Sequence, residues 1–375
     1  MELSSFQVEE RTLLKRLDLN FIFVILALNI IGLINLYSAT HGPSARDVAP
    51  LFVNQIIWLI AGWCIFFIVT LVDYAVVSKT AYIIYFFNLG AIVFTTFFGK
   101  VALGAQRWID FGFFRYQPSE TMKLALIMVL AKVLATRSTL GNGMGFRELF
   151  VPMLFLGVPF TLIVEQPDLG TALTLLAIGS TMVMFTKVRK TILLGAVVMG
   201  LVGIWGAWNF VLRDYQKNRV LTFISPESDP LRTGYNSIQS KIAVGSGKFF
   251  GKGFKQGTQS QLEFLPERHT DFIYSVLSEE HGFVGSVLTV GLFCFLFLII
   301  IRIAMNARDK FGALLCVGVL GYVFWHMFVN VGMVIGLLPI VGVPLPLLSY
   351  GGSSMLTTMA GLGLISSVSF RRYLF

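Results

Sequence analysis

The stretch Phe264-Leu265-Pro266-Glu267-Arg268-His269-Thr270-Asp271-Phe272-Ile273 sets two carboxylates, a guanidinium and an imidazole within five consecutive residues, just before a long apolar run. Proton acceptors beside anion-holding groups at a water–lipid boundary suit chemistry on an amphiphilic phosphorylated substrate. The same residues would also make an ordinary helix start, with Thr270 or Asp271 as the cap and the acids facing the macrodipole.

Further polar groups stand at other apolar boundaries. Arg107-Trp108 precedes Gln117-Pro118-Ser119-Glu120-Thr121-Met122-Lys123. Ser119 is placed to cap a helix after Pro118, and Glu120 and Lys123, spaced i, i+3, can pair on one face. Ionisable groups so close to a lipid-facing span turn towards a cavity or snorkel to the interface. Trp108 suits an interfacial belt or stacking on a sugar face. Asp168, in Gln166-Pro167-Asp168-Leu169-Gly170-Thr171, either caps the following helix or lines a cavity with Lys123. Gly245-Ser246-Gly247-Lys248-Phe249-Phe250-Gly251-Lys252-Gly253-Phe254-Lys255 lacks both dinucleotide and Walker spacing. It reads as flexible backbone carrying three Lys, suited to pyrophosphate or a lipid surface, or as a plain surface loop. Asn330–Ser354 is uncharged and rich in Pro and Gly, which predicts a packed or re-entrant loop. Zinc, serine-hydrolase and Walker motifs are absent from the sequence.

These residues must be positioned by membrane helices. Of 375 residues, 55% are hydrophobic and only 13% charged, about half the charge a soluble domain carries. Apolar runs at 19–38, 51–71, 80–98, 119–135, 149–164, 171–186, 190–212, 276–301, 311–331 and 351–369 predict ten spans in one all-α polytopic membrane domain, residues 1–375. No cleavable signal peptide is read at the start, so the first run is an anchor. Fifteen Lys and Arg gather at one set of span ends, Arg11, Lys15, Arg16 and Arg372 among them, against four (Arg46, Lys100, Arg107, Arg115) at the other. That asymmetry puts both termini in the cytoplasm and makes 213–270 a large extracytoplasmic loop. It also accounts for the net charge of +9 without nucleic acid. Within the loop, Ser237–Val244 predicts a short surface helix with Ile238 and Ile242 on one face beside Lys241. Its nine bases, with Arg107 and Arg115, predict a basic-rimmed groove between the loop and the third-to-fourth connection, floored by the fourth to sixth spans. Cys64, Cys294 and Cys316 read as small buried hydrophobes.

Three of these motifs together resemble the SEDS family (shape, elongation, division and sporulation): Asn330–Ser354 without a gap, Gln166–Thr171, and Pro266–Phe272, in order and at fitting distances. The resemblance runs from Leu19 to Arg372. Gln259–His269 resembles the elongation branch, because the division branch usually has a small residue where Arg268 stands.

The resemblance implies a peptidoglycan polymerase of the bacterial inner membrane. Such proteins join lipid II onto an undecaprenyl-pyrophosphate-linked glycan strand outside the membrane. They work with a class B penicillin-binding protein and other elongation-complex proteins. The eighth and ninth spans would meet that partner's membrane helix. The family's essential Asp falls on Asp271, its Arg-Trp pair on Arg107 and Trp108, its Glu and Lys on Glu120 and Lys123, and its Asp after the fifth span on Asp168. Asp271 would be the general base of an inverting transfer. Arg107, Lys123, Arg268 or a divalent cation (Mg or Mn) would hold the departing pyrophosphate, with His269 nearby. Arg268 and His269 would hold the Asp271 carboxyl low, making it a weak base unless it is partly desolvated, or else a metal ligand. A lipid II flippase and a non-catalytic scaffold are the rival readings. The clustering of polar groups at the outer ends favours catalysis there.

Overall fold

A computed structural model describes residues 17–41, 49–102, 105–112, 114–137, 143–212, 214–225, 233–262, 264–265 and 267–371. Arg11, Lys15, Arg16, Arg46, Arg232, Arg372, Glu263 and Pro266 lie outside the described residues.

Ten helices correspond to the ten expected spans: α1 (Leu19–Thr40), α2 (Ala49–Leu71), α3 (Tyr74–Phe98), α4 (Pro118–Arg137), α5 (Phe146–Glu165), α6 (Leu169–Met184), α7 (Lys190–Gly206), α11 (Ile273–Met305), α12 (Lys310–Val334) and α13 (Gly352–Arg371). Among the described residues, eight helices are long and apolar enough to cross a membrane. The exceptions, α4 and α6, are informative. Helix α6 has only 16 residues. Helix α4 carries Glu120, Lys123, Lys132 and Arg137, yet is buried along most of its length against α3, α5, α6, α12 and α13. It is the central post, and its charges are tolerated because protein rather than lipid surrounds them. Helix α7 is the opposite case: none of its span is buried. It ends in a π-helical turn, Ala207–Val211.

Three short strands interrupt the helices. β1 (Lys100–Ala102), β2 (Ala105–Asp110) and β3 (Arg115–Tyr116) form an antiparallel sheet between α3 and α4, with Lys100 opposite Trp108 and Asp110 opposite Arg115. The apolar-run reading does not predict it, because strands this short leave no periodic signal.

The segment between α7 and α11 contains α8 (Asp214–Ile224), α9 (Thr233–Ser246) and α10 (Thr258–Gln261). The face of α9 that docks is built from small residues, not from Ile238 and Ile242: Ser237, Ser240 and Ala243 are buried, and Ile242 is exposed. Ser240 Oγ donates to the Val334 carbonyl at 2.8 Å and meets Ser275 Oγ at 3.0 Å. The Gly-rich stretch is likewise not a free loop. A Cβ on Gly247 would lie 2.0 Å from the Ser278 carbonyl oxygen, and one on Gly251 2.1 Å from that of Glu280. The loop is clamped on a kink in α11, where Gly282 takes φ 64°. Two of its lysines are engaged as well: Lys252 Nζ pairs with the buried Glu279 at 2.7 Å, and Lys255 lies over the Tyr37 ring. The three cysteines are free, but Cys64 and Cys294 face outward and Cys316 alone is buried.

Candidate active site

Among the described residues, the connections after the third, fifth, seventh and ninth spans touch one another at one end of the bundle. Arg107, on β2, reaches the α5–α6 link: its Nε donates to the Gln166 carbonyl at 3.1 Å, its Nη2 to the Pro167 carbonyl, and its Nη1 lies 3.5 Å from Asp168 Oδ2. Gln166 in turn donates to the Ile92 carbonyl and to Thr95 and Thr96 at the end of α3. Asp168 takes the first of the two roles open to it in the sequence and meets Arg107 in place of Lys123. It caps α6, accepting from the Thr171 N–H at 3.3 Å, and it pairs with Arg107. Trp108 stands half-buried on the same strand.

Helix α4 begins at Pro118, so Ser119 is inside the first turn rather than the cap. Proline suits that first position because its missing N–H has no partner there in any case. Gln117 precedes the helix, and its Nε2 donates to Ser119 Oγ at 3.0 Å and to Asp168 Oδ2 at 3.4 Å. One turn deeper, Lys123 Nζ donates to Glu120 Oε1 at 2.7 Å and lies 2.8 Å from His326 Nε2 on α12. Glu120 is 4% exposed, Lys123 1% and His326 0%. Gln117 is the group that meets Asp168. The Lys123 ammonium is committed to Glu120 and His326 and is not presented to a lipid phosphate.

Asp271 is not a helix cap. The helix starts at Ile273, and its N-cap, Phe272, makes no side-chain cap bond. A tight turn from Glu267, whose φ of 52° is left-handed, leads into Asp271, with the Phe272 N–H donating to the Glu267 carbonyl at 3.3 Å. The loop after α12 lies beneath this turn. Ser349 Oγ donates to the Thr270 carbonyl at 2.7 Å, the Tyr350 N–H to that of His269 at 2.9 Å, and Asn330 Nδ2 to that of Asp271 at 2.8 Å. The loop is packed and non-helical, as expected, with Val343, Leu345, Leu347 and Leu348 buried. It also touches the α5–α6 link, since a Cβ on Gly170 would lie 2.5 Å from the Val341 carbonyl oxygen.

Burial supplies the desolvation that the sequence reading left open for Asp271. The residue keeps some exposed area, but its carboxyl sits deep among protein atoms. That desolvation pushes it up to about 7, helped by the negative charges of Glu267 and Asp168 and opposed by Arg219. Arg268 and His269 do not hold it down. Arg268 turns away, its Nε donating to the Ala39 carbonyl at the end of α1 at 2.9 Å. Burial holds the His269 imidazole below its usual value, with Glu267 opposing. His269 lies edge-on to Tyr350. The structure thus brings Asp271, Asp168, Arg107 and Gln117 together, seats Glu120 and Lys123 in the packed layer below, and directs Arg268 to α1.

Among the described residues, no three His, Cys, Asp or Glu side chains form a group that could hold a metal. Asp271 and Asp168 would supply two carboxylates. Mg²⁺ sites are commonly built from that number, with substrate phosphates completing the shell.

The family model described as "Cell cycle protein" (FTSW_RODA_SPOVE) matches residues 18–374. The chain belongs to this family, the SEDS family. Among its curated relatives in the family is the peptidoglycan glycosyltransferase MrdB of Escherichia coli (strain K12), 39% identical over 95% of this chain and 94% of the relative. Another is the peptidoglycan glycosyltransferase RodA of Treponema pallidum, 33% identical over 95% and 98%. A chain from a peptidoglycan synthase complex that coordinates polymerization and crosslinking superposes with TM-score 0.81, at 29% identity over 96% of this chain and 99% of its own. The rod shape determining protein RodA of Thermus thermophilus superposes with TM-score 0.71, at 28% identity over 95% and 98%.

Motif reading gives no role to four residues at or behind this SEDS site. Arg219 is the cation whose charge opposes the rise at Asp271, but it sits among nine bases of the large segment with nothing to single it out. Gln117 and Asn330 are neutral amides whose roles depend on backbone carbonyls far away in sequence. His326 carried a usable signal, since a titratable side chain inside an apolar span is a site candidate by position alone.

Proposed function

We propose that this multi-pass membrane protein polymerises lipid II onto an undecaprenyl-pyrophosphate-linked strand, with Asp271 as general base. The chain is a peptidoglycan glycosyltransferase of the elongation type. The observation that carries the mechanism is the Asp271 carboxyl: free of any capping duty, and raised to about 7. A base with that proton affinity takes a hydroxyl proton efficiently at neutral pH.

The 4-hydroxyl oxygen of the acceptor attacks the anomeric carbon of the donor sugar while Asp271 takes its proton. The new C–O bond forms as the bond to the pyrophosphate breaks, and the pyrophosphate leaves with the electron pair. An α-linked donor gives a β-linked product, so one base serves and no covalent intermediate is needed. Arg107 holds the α5–α6 link and the Asp168 carboxylate in place, and Arg219 lies within reach of Asp271's field, so both can balance the leaving charge. A divalent cation, Mg or Mn, would be held by the Asp168 carboxylate and would supply positive charge against the leaving pyrophosphate; with Asp271 as a second ligand, Asp271 would not serve as the base. One pocket beside this site is lined by Arg219, Thr222, Ser237, Leu338 and Ile340. It opens between α8, α9 and the loop after α12, whereas the charge pattern points to a groove beside the strand sheet.

The site end faces outward and both termini lie in the cytoplasm of a bacterial cell, on the strength of the Lys and Arg asymmetry. The likeness to a chain of a polymerizing and crosslinking complex supports a class B penicillin-binding protein as partner. Purified protein with that partner should convert labelled lipid II to glycan strands, and Asp271→Asn should abolish the product. Lipid II scrambling without polymer, unaffected by Asp271→Asn, would instead identify a flippase.

A further inference from the structure

Helix α12 presents three polar side chains four residues apart, and so on one face: Tyr322, His326 and Asn330. Each is fully buried and each ties α12 to a different part of the fold. Tyr322 Oη meets Thr358 Oγ1 on α13 at 2.9 Å. His326 meets Lys123 on α4 at 2.8 Å. Asn330 holds the backbone carbonyls of Asp271 at 2.8 Å and Val343 at 2.7 Å.

The middle contact has a defined polarity. His326 Nδ1 lies 2.8 Å from the Tyr322 carbonyl, an acceptor only, so Nδ1 carries the proton. Nε2 is then a lone pair, and it accepts from the Lys123 ammonium. A buried ammonium has three protons to satisfy. One goes to Glu120, one to His326, and the third side faces the Tyr322 ring, 5.5 Å from its centroid. Glu120 alone would leave Lys123 underbonded in a site with almost no access to water, where an unmet charged donor is costly.

We infer that His326 is a positioning residue for the transfer reaction: through Lys123 it fixes the first turn of α4, and hence Gln117 and Asp168, relative to the same face of α12 that holds Asp271. It touches neither substrate nor reacting atoms. The inference rests on the reading of Asp271 as the base and of Glu120 and Lys123 as part of its site.

The test uses the full chain with its crosslinking partner and labelled lipid II. His326→Leu removes the acceptor, and kcat should fall about tenfold or more with KM changed less than about threefold, the loss expected when a buried charged donor loses its partner. His326→Gln offers an amide oxygen to Lys123 and should recover at least about a third of the parent kcat. His326→Leu combined with Lys123→Met should be no slower than Lys123→Met alone, because one acts through the other. The inference is overturned if His326→Leu polymerises within about twofold of the parent, if Gln is as poor as Leu, or if the two losses add. Should His326→Leu fail to fold, the Gln variant decides, since a Gln enzyme that folds but is as slow as Lys123→Met rejects an acceptor role. A Lys123→Met enzyme with full activity would instead sink the site reading on which the inference stands.

Discussion

A methyl group added to Gly342 would stand 3.3 Å from the Oδ2 atom of Asp271. Gly342 takes φ 74°, a conformation other residues reach only with strain. Gly342→Ala should therefore disturb the base twice, by crowding its carboxyl and by straining the loop. Polymerisation should fall about tenfold or more. Retained activity would mean that the carboxyl has room the geometry denies it.

The raised affinity of Asp271 for a proton gives a pH signature. The rate should climb as pH rises through about 7, where the carboxyl ionises, and flatten above it. The stability sign is the opposite. An acid whose folded-state value exceeds its unfolded one favours the fold below the unfolded value, near 3.8, and that stability is lost as pH rises to about 7. Asp271→Asn, which cannot ionise, should consequently melt higher than the parent at pH 8 while losing at least about a hundredfold in rate. A variant that melts lower at pH 8 would contradict the burial of this carboxyl.

Arg107 grips two backbone carbonyls and a carboxylate from one planar fork. Lysine keeps the charge but not the fork. Arg107→Lys should be nearly as damaging as Arg107→Ala, and either one combined with Asp168→Asn should cost less than the two single losses together. Equal activity of the Lys variant and the parent would leave charge alone as the requirement.

Chelating divalent cations should slow polymerisation if a cation shares the pyrophosphate with Asp168. Added Mg or Mn should restore the rate. An unchanged rate in chelator would assign the leaving charge to Arg107 and Arg219 without a metal.

Gly251→Ala should fail at the level of folding. Its Cβ would meet the Glu280 carbonyl oxygen at 2.1 Å, a methyl against fixed backbone, at φ 84°. Membrane yield and melting temperature should both drop sharply, whereas Gly245→Ala, where the added methyl meets nothing, should be tolerated.

The spans were legible in the sequence because apolar runs near bilayer length leave few alternatives, and Asp271, Asp168 and Arg107 because their short motifs keep unusual residue types together. What stayed hidden was whatever depends on contacts across the fold. Neighbours in sequence made Asp271 seem flanked by cations, but Arg268 is drawn to Ala39 and burial decides the carboxyl's behaviour. Glycines 247 and 251 looked like flexibility and are instead points of close approach to α11. His326 gave no motif, because its partner lies 203 residues away.

The grip of Asn330 on Asp271 is on the main-chain oxygen, not on the carboxylate. Place and chemistry at position 271 are thereby separated for side chains of the same size: the mount does not depend on the charge it carries. Asn set there inherits the same seat between α12 and the loop that follows it. Exchanging Asp271 for Asn is therefore a clean chemical edit that leaves the scaffold standing, and that inert variant should still fold, insert and assemble as a faithful decoy of the working enzyme.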